Sequence, residues 1–220
     1  MKGILKLVVV SAFIGLFSTL SFAAEAPFTA GKEYIDAPAP KGLPPLSAKE
    51  EPNKIQVVEF FSFACPHCAE LEPSMEKWVK ANSDKIDFHR IPVEWNRGWD
   101  NLAKAYYVAE QLKVLDKVTL PIFDAMRSRK LDPADVKQIA AIFKENANIS
   151  EEDFMKSFDS FGVNVAETRG QQWTTAYKIR GVPAIVIGAH YQTDAGKAGS
   201  IERLPAVMDY LIELSGQQKK

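Results

Sequence analysis

Residues 65–68, with the sequence Cys-Pro-His-Cys, contain the only two cysteines of this 220-residue chain. Two thiols at this spacing can form a redox-active dithiol, half of a metal site, or a small structural disulfide. The chain offers only three histidines and no third cysteine to complete a tetrahedral zinc site. A structural bridge across so short a loop would remove little entropy from the unfolded chain. The motif therefore favours thiol–disulfide chemistry, with metal binding and a structural bridge as the alternatives.

The two thiols are expected to act differently. Cys65 falls where a predicted strand meets a predicted helix, and the N–H groups at a helix N-terminus stabilise the thiolate, which is the form that attacks disulfides. Pro66 suits the first helical turn, and Cys68 lies about one turn further on. His67 can donate a hydrogen bond or carry positive charge, which also favours the thiolate. We expect an exposed, attacking Cys65, a more buried, resolving Cys68, and redox tuning by Pro66 and His67.

The N-terminus predicts export. Residues 1–23 have a positive start at Lys2 and Lys6, an apolar stretch over 7–20, and small residues before a cleavage point after Ala23. The apolar stretch is short for a membrane span of about 20 residues, and no basic stop-transfer cluster follows it. The chain is therefore expected to be cleaved and released into an oxidising compartment.

Charge and composition narrow the function further. Loss of the two leader lysines leaves 25 basic and 28 acidic residues, a net charge of about −3, which argues against nucleic acid as a partner. Small exported domains often depend on disulfides for stability. With 46% hydrophobic residues, this chain should instead fold around an ordinary apolar core.

The first part of the mature chain predicts an arm followed by a βαβ unit. Residues 24–54 are rich in proline and read as an extended arm, with a short edge strand at 33–35. The run 55–61 is apolar and β-prone, which is typical of a central strand buried on both faces. A helix over 66–82 and a second strand over 86–93 follow.

The rest of the chain predicts a helical block and a second ββα unit. Residues 97–161 have helical patterning throughout. The predicted elements within and after this block are helices at 100–113, 120–128 and 133–145, a helix that starts at Ser150, a helix at 163–179, strands at 184–187 and 191–193, and a last helix from 200 or 201 to 214. We interpret 55–96 and 162–216 as one α/β domain and 97–161 as a helical domain inserted into it.

Two motifs resemble a known family. The sequence Phe-Phe-Ser-Phe-Ala-Cys-Pro-His-Cys at residues 60–68 resembles the active-site signature of the DsbA family of periplasmic thiol oxidases. Arg-Gly-Val-Pro at 180–183, just before a predicted strand, resembles the cis-proline loop of thioredoxin-like proteins. The resemblance covers about residues 50–216 and implies an α/β thioredoxin fold with an inserted helical domain.

The resemblance also implies a site. Val182 and a cis Pro183 would face Cys65, and the backbone of Val182 would pair with an extended substrate segment. The family's glutamate beneath the active site matches Glu59, which would help proton transfer with the buried cysteine; an edge-exposed strand residue is the alternative. Glu72 also matches a family acidic position, although a solvated helix face is the favoured interpretation.

A lysine often stands near this glutamate in the family. Here residues 87–90 read Asp-Phe-His-Arg, which leaves the partner of Glu59 unassigned.

The activity implied is oxidation of cysteine pairs in unfolded or newly exported proteins through a disulfide between Cys65 and Cys68. The family needs no soluble cofactor and no metal, works in the periplasm, and is reoxidised by a DsbB-like membrane quinone reductase. A disulfide isomerase or reductase on the same fold is the main alternative, and the sequence leaves open a monomer or a homodimer. Isomerases usually carry a separate dimerisation domain, which the arm at 24–54 is too short to form. A metal-binding or chaperone-like module without enzymatic activity is the remaining alternative.

Overall fold

The computed structural model describes residues 27–38, 40–46, 51 and 53–218. The predicted leader, residues 1–23, lies outside this part of the chain. Among the described residues, no helix is long and apolar enough to cross a membrane.

Strands and helices follow one another largely as the patterning predicts. The strands are β1 (Ile35–Asp36), β2 (Ile55–Phe61), β3 (Ile86–Pro92), β4 (Ala184–Ile187) and β5 (Tyr191–Thr193). The helices are α1 (Pro66–Ala81), α2 (Trp99–Gln111), α3 (Leu115–Arg127), α4 (Val136–Ala147), α5 (Glu151–Phe158), α6 (Phe161–Ala176), α7 (Ala195–Ala198) and α8 (Leu204–Gln218).

The strands form one mixed sheet in the order β1-β5-β4-β2-β3. β2 is parallel to β3 and antiparallel to β4, so it lies inside the sheet, as its continuous apolar sequence predicts. Side chains alternate across a strand. Val57 packs on one face of β2 and Val58 on the other, and Glu59 shares the face of Val57 because it lies two residues away.

Helices cover both faces of the sheet. On the face of Val57, α1 contributes Leu71 and α8 contributes Met208 to one apolar cluster. On the opposite face, Val58 packs in a second cluster with Trp173 of α6. The central strand β2 is therefore buried on both faces by helices, and these helices also fix the position of the end of β2 that leads into α1.

The helices α2–α5 form a third cluster that is joined to the sheet by aromatic side chains. The Phe61 ring lies 5.3 Å from the ring of Tyr106, and the Phe63 ring lies 4.9 Å from that of Phe123, both edge to face. Cys65 and Cys68 belong to the same cluster. These helices follow β3 and precede α6, so the α/β fold with a helical insertion is confirmed, and the insertion packs against the cysteine motif.

The described part of the arm lies against the domain. β1 pairs with β5 at the sheet edge, slightly later than the edge strand predicted at 33–35. The Trp173 indole N–H donates to the carbonyl of Pro44 at 2.9 Å, and Arg169 donates to the carbonyl of Leu46 at 3.4 Å. These bonds hold the arm along α6.

Three predicted helix starts are wrong. α4 begins at Val136 rather than at residue 133, and the Asp135 carboxylate accepts from the backbone N–H groups of Lys137 and Gln138.

α3 begins at Leu115 rather than at residue 120, with Pro121 inside it; the missing proline N–H removes one helical hydrogen bond, but the neighbouring Val118 and Ile122 are fully buried and stabilise the helix by packing.

The last helix begins at Leu204 instead of 200 or 201. The unpredicted α7 precedes it. The Asp194 carboxylate accepts from the backbone N–H of Lys197 at 2.8 Å and starts α7, and Gly199 ends it with a φ of 92°.

Candidate active site

Cys65 occupies the N-cap of α1, with Pro66 at the start of the helix as predicted. Its backbone N–H donates to the carbonyl of Ser62 at 3.0 Å, and its own carbonyl accepts from the N–H groups of Cys68 and Ala69 at 3.1 and 3.2 Å. The residue that follows β2 and the first turn of α1 are therefore tied together. The Cys65 sulfur consequently lies at the N-terminal end of the helix, where the helix dipole favours negative charge.

The two cysteines differ in burial, but both are buried. Cys68 is 1% exposed and lies deeper than Cys65, as predicted. The expectation of an exposed Cys65 is wrong: it is only 9% exposed. Both cysteines pack in the apolar cluster of the helical insertion, with Ala64 and Val182 beside them. Only a small part of the Cys65 surface is therefore accessible.

The surroundings of Cys65 favour its thiolate. They lower the pKa of Cys65 to about 6, chiefly because the Cys68 thiol donates a hydrogen bond to it. Burial opposes this shift, while the backbone N–H groups of Cys68 and His67 and the charge of the His67 ring support it. The helix N-terminus and His67 act in the predicted direction, and the hydrogen bond from the second cysteine is the larger cause.

The surroundings of Cys68 instead favour its protonated thiol. Burial raises the pKa of the Cys68 thiol far above its usual range, and the hydrogen bond and negative charge at Cys65 raise it further. The carboxylate of Glu59 adds to the same shift. In the reduced protein one sulfur is therefore a thiolate and the other a thiol that donates to it. Both cysteines are free in this structure.

His67 is held by a neighbour that the sequence interpretation missed. Its Nδ1 lies 3.1 Å from the Glu70 carboxylate, and this contact raises the pKa of the exposed imidazole. Residues 67 and 70 are three apart on a helix and share a face. Because Glu70 favours the imidazolium, it also supports the positive charge beside Cys65.

The second half of the predicted site lies opposite the first. The Val182–Pro183 peptide bond is cis, and the Cys65 sulfur lies 3.4 Å from the carbonyl oxygen of Val182. Cys65 and Val182 are 117 positions apart in the chain. β4 pairs with β2 so that Ala184 stands opposite Phe60, which brings the loop before β4 beside the helix that follows β2.

Beneath the cysteines, Glu59 belongs to a buried ion cluster. The Arg90 guanidinium donates through Nε to Glu59 at 2.7 Å and through both terminal nitrogens to Glu72 at 2.9 and 2.7 Å. The side chains of Glu59 and Glu72 are 2% and 6% exposed. Glu59 is thus not an edge-exposed residue, and the favoured solvated position of Glu72 is wrong.

Arg90 supplies the cation that the sequence left unassigned. It stands directly opposite Glu59 in the parallel register of β2 and β3. Burial raises the pKa of Glu72, and the adjacent guanidinium acts against this shift. The two carboxylates raise the pKa of Arg90, so it stays cationic.

A surface groove of about 1050 Å³ runs past the motif. It is lined by His67 and Glu70 of α1, the loop around Val182 and Pro183, Ile35 and Asp36 of the arm, and residues at the end of β5 and in α7. The groove is open, and one of its walls is the loop whose carbonyl meets the Cys65 sulfur. An extended peptide could lie along it with a thiol directed at Cys65.

The structure gives no support to the metal-site alternative. Among the described residues, no three His, Cys, Asp or Glu side chains are grouped to hold a metal ion. His89 lies on β3 with Nε2 3.0 Å from the carboxylate of Asp87.

Known proteins share this architecture. Residues 56–204 match the family model described as a DSBA-like thioredoxin domain. The chain is 32% identical to a thiol:disulfide interchange protein DsbA of Burkholderia cepacia over 97% of both chains. It is 30% identical to that of Pseudomonas aeruginosa over 93% of this chain and 94% of the relative. The crystal structure of Pseudomonas aeruginosa DsbA superimposes with a TM-score of 0.77 at 29% identity, covering 88% of this chain and 97% of that one.

Proposed function

The chain belongs to the DsbA-like thioredoxin family, and we propose that it is a thiol:disulfide oxidoreductase that introduces disulfide bonds into exported proteins. The observation that carries the proposal is the position of Cys65 at the N-cap of α1, in surroundings that lower its pKa to about 6. The Cys65 sulfur stands against the Val182 carbonyl beside an open groove. We assign this groove as the surface along which a substrate thiol reaches Cys65.

The reaction starts from the oxidised protein, in which Cys65 and Cys68 form a disulfide. A substrate thiolate attacks the Cys65 sulfur, the more accessible of the two. A sulfur–sulfur bond forms between substrate and Cys65, and the electron pair of the broken disulfide passes to the Cys68 sulfur. The strongly raised pKa of Cys68 means that this sulfur then takes up a proton.

The second step releases the oxidised substrate. A second substrate thiolate attacks the substrate sulfur of the mixed disulfide, and Cys65 leaves as a thiolate. A thiol of low pKa is a good leaving group in such exchanges. The substrate has lost two electrons and two protons. The protein is left with both cysteines free, as in this structure; the lowered pKa favours Cys65 as a thiolate, and the raised pKa favours Cys68 as a thiol.

The thiolate gives the reaction its direction. With a pKa of about 6, Cys65 is about 90% ionised at pH 7, against a few per cent for an ordinary cysteine of pKa about 8.5. This stabilises the reduced protein by about 1.4 kcal/mol, which corresponds to about 30 mV for a two-electron couple. Thiolate stabilisation therefore makes the Cys65–Cys68 disulfide more oxidising.

Glu59 contributes through charge. Its carboxylate raises the pKa of Cys68, so it favours proton uptake by this sulfur when the disulfide opens. Arg90 holds the carboxylate in place at 2.7 Å. We assign Glu59 to proton transfer and redox tuning with Pro66 and His67, and no soluble cofactor takes part.

Substrate binding is assigned to the loop opposite Cys65. Val182 and Pro183 line the groove, and the Val182 backbone offers an edge to which an extended segment can add as a strand. Unfolded cysteine-containing proteins suit such a site because an extended chain exposes the backbone groups that strand addition requires.

The site of action is the periplasm, supported by the predicted leader at residues 1–23 and by the DsbA relatives. Reoxidation requires an acceptor of two electrons, for which we propose a DsbB-like membrane quinone reductase. Membrane vesicles that contain such an enzyme and quinone should reoxidise the reduced protein faster than vesicles without it. Equal rates would remove this partner from the scheme.

Oxidation of reduced, unfolded ribonuclease by the oxidised protein tests the main proposal. The wild type should form disulfides and the Cys65→Ser variant none, because the attacked sulfur is absent. The Cys68→Ser variant has no disulfide to transfer and should also form none. With scrambled ribonuclease, its Cys65 thiolate should attack a substrate disulfide and release a substrate thiolate, and the mixed disulfide should accumulate because the resolving thiol is missing. Oxidation by Cys65→Ser at the wild-type rate would overturn the mechanism. Faster rescue of scrambled ribonuclease than oxidation of the reduced form would instead favour an isomerase.

A further inference from the structure

We infer that the groove selects substrate segments with acidic residues next to the reacting cysteine, through the side chains of Lys178 and Arg180. The inference rests on the proposed function and adds to it a class of preferred substrate. It comes from the distribution of unpaired charges along the groove, which differs between the end near Cys65 and the far end.

Most charged side chains in the groove already have a partner. The Lys197 ammonium lies 2.8 Å from the Asp194 carboxylate, and His67 lies 3.1 Å from Glu70. These pairs largely cancel at the distance of a bound peptide. Lys178 and Arg180 line the same groove and are exposed. Among the described residues neither has an ion-pair partner, so both are available to a ligand.

The two free cations stand close to the reacting sulfur. Arg180 is two residues before Val182, whose carbonyl oxygen lies 3.4 Å from the Cys65 sulfur. A chain extends at most about 3.6 Å per residue, which places the Arg180 backbone within about 7 Å of Val182 and that of Lys178 within about 14 Å. The long side chains extend the reach of both charges, and both residues line the same groove as Val182. A peptide paired with Val182 would place the neighbours of its cysteine beside these cations.

The free carboxylate of the groove is too far away to compensate. Asp36 pairs with Tyr191, and Tyr191 pairs with Ile187 at the far end of β4. Two strand spacings across the sheet and four residues along it separate Asp36 from Pro183 by about 16 Å. This exceeds the Debye length of about 8 Å at physiological salt. Substrate residues beside the cysteine therefore experience mainly positive charge.

The preference would be local, because the chain without its predicted leader carries a net charge of about −3. The overall field repels an acidic peptide weakly, so a preference for acidic peptides must come from the groove. An exposed ion pair changes an equilibrium by a factor of about 1.5 to 5. Two such contacts predict that a peptide with glutamates beside its cysteine reacts about fivefold faster than one with glutamines.

The test measures the second-order rate at which dithiol peptides reduce the oxidised protein at low salt. Two peptides of equal length carry Glu or Gln on both sides of the first cysteine. Each rate is divided by the rate of the same peptide with uncharged hydroxyethyl disulfide, because acidic neighbours also change the peptide's own thiol pKa. The Glu-to-Gln ratio should be about five for the wild type and fall toward one in 0.5 M NaCl.

Two double variants locate the effect. K178Q/R180Q should lower the ratio to about one. K144Q/K156Q removes the same charge from exposed positions outside the groove and should keep the wild-type ratio. A wild-type ratio of one, or a ratio that survives in K178Q/R180Q, overturns the inference and leaves the oxidase intact. If the wild type oxidises neither peptide, the proposed function fails and the inference with it.

Discussion

Replacement of Arg90 by methionine should destabilise the protein by about 3–5 kcal/mol at neutral pH. Arg90 donates three hydrogen bonds to Glu59 and Glu72, both of which are almost fully buried. Methionine has a similar reach but no charge, so two carboxylates would remain in the core without a cation. The cost of an uncompensated buried charge is the main part of the expected loss.

Packing offsets little of that loss. The Arg90 guanidinium lies 5.7 Å from the centre of the Phe61 ring and 5.6 Å from that of Phe88, so a methionine there keeps apolar neighbours. Burial of the additional methyl and sulfur contributes on the order of 1 kcal/mol. The net destabilisation is still a large fraction of the about 5–15 kcal/mol that stabilises a typical domain.

The loss should depend on pH in a defined direction. Burial already raises the pKa of Glu72, and Arg90 opposes this shift; without the guanidinium the pKa rises further. Between the unfolded value of about 4.3 and the raised folded value, the folded variant binds more protons than the unfolded chain. Its stability then falls as pH rises. The deficit relative to wild type should be smaller at pH 5 than at pH 8.

Urea denaturation of R90M and wild type at pH 5 and pH 8 measures both effects. Arg127 provides the control, because it makes a similar 2.7 Å contact with Asp124 at 64% exposure; R127M should lose less than about 0.5 kcal/mol. Adding E72Q to R90M removes one buried carboxylate that has no cation beside it, and should recover about 1–2 kcal/mol of the unfolding free energy at pH 8. An R90M variant within about 1 kcal/mol of wild type at pH 8, or a deficit equal at both pH values, would refute the reasoning.

Three further predictions concern the thiolate and the packing. Absorbance at 240 nm of the reduced protein should titrate with a midpoint of about 6 for Cys65, and His67→Ala should move this midpoint upward. Because the folded pKa of Cys65 is lowered, the reduced wild type should gain about 2 kcal/mol over Cys65→Ser between pH 6 and pH 8 in urea unfolding. Gly170→Ala should cost about 1–3 kcal/mol, since a Cβ there would overlap the buried hydroxyl of Tyr107; the control Gly216→Ala meets no atom within 4 Å and should leave stability unchanged or slightly raised.

Each of these predictions would be contradicted by a specific result. A midpoint near 8.5 would show that the surroundings do not favour the thiolate. A pH profile of the reduced protein parallel to that of Cys65→Ser would show that the thiolate does not contribute to stability. Equal unfolding free energies of Gly170→Ala and Gly216→Ala would show that α6 can move away from α2 without loss of packing.

The sequence predicted the parts of the fold that depend on local pattern. The apolar run 55–61 became the enclosed strand β2, and the Ser150 cap placed the start of α5, where its hydroxyl accepts from the N–H of Asp153 at 3.0 Å. It failed where packing decides. The first turns of α3 lie N-terminal to a proline, and the sequence signal of that proline suggested a helix start.

The site was predictable to the extent that it depends on motif chemistry. The cysteines, His67 and the loop at Val182 lie together, although the loop is distant in sequence, because β4 pairs with β2. The exposure of Cys65 was not predictable from the same residues. It depends on how the helical insertion packs over the motif, and the motif contains no information about that contact.

The buried ion cluster left a signal in the sequence, but it requires two elements to be considered together. The buried positions of α1 include Cys68, Leu71, Glu72 and Met75, which follow the i, i+3, i+4, i+7 spacing of one helix face. Glu72 therefore stands in the apolar stripe, although its charge suggested a solvated position.

A second acid, Glu59, stands in a strand buried on both faces. Two carboxylates on the facing sides of a strand and a helix cannot both be buried without a cation. β3, the parallel neighbour of β2, contains one cation of fixed charge, Arg90, and a parallel register of β2 and β3 places it beside Glu59. The partner of Glu59 could thus be deduced from the requirement for charge compensation, where helix amphipathicity or strand patterning alone did not identify it.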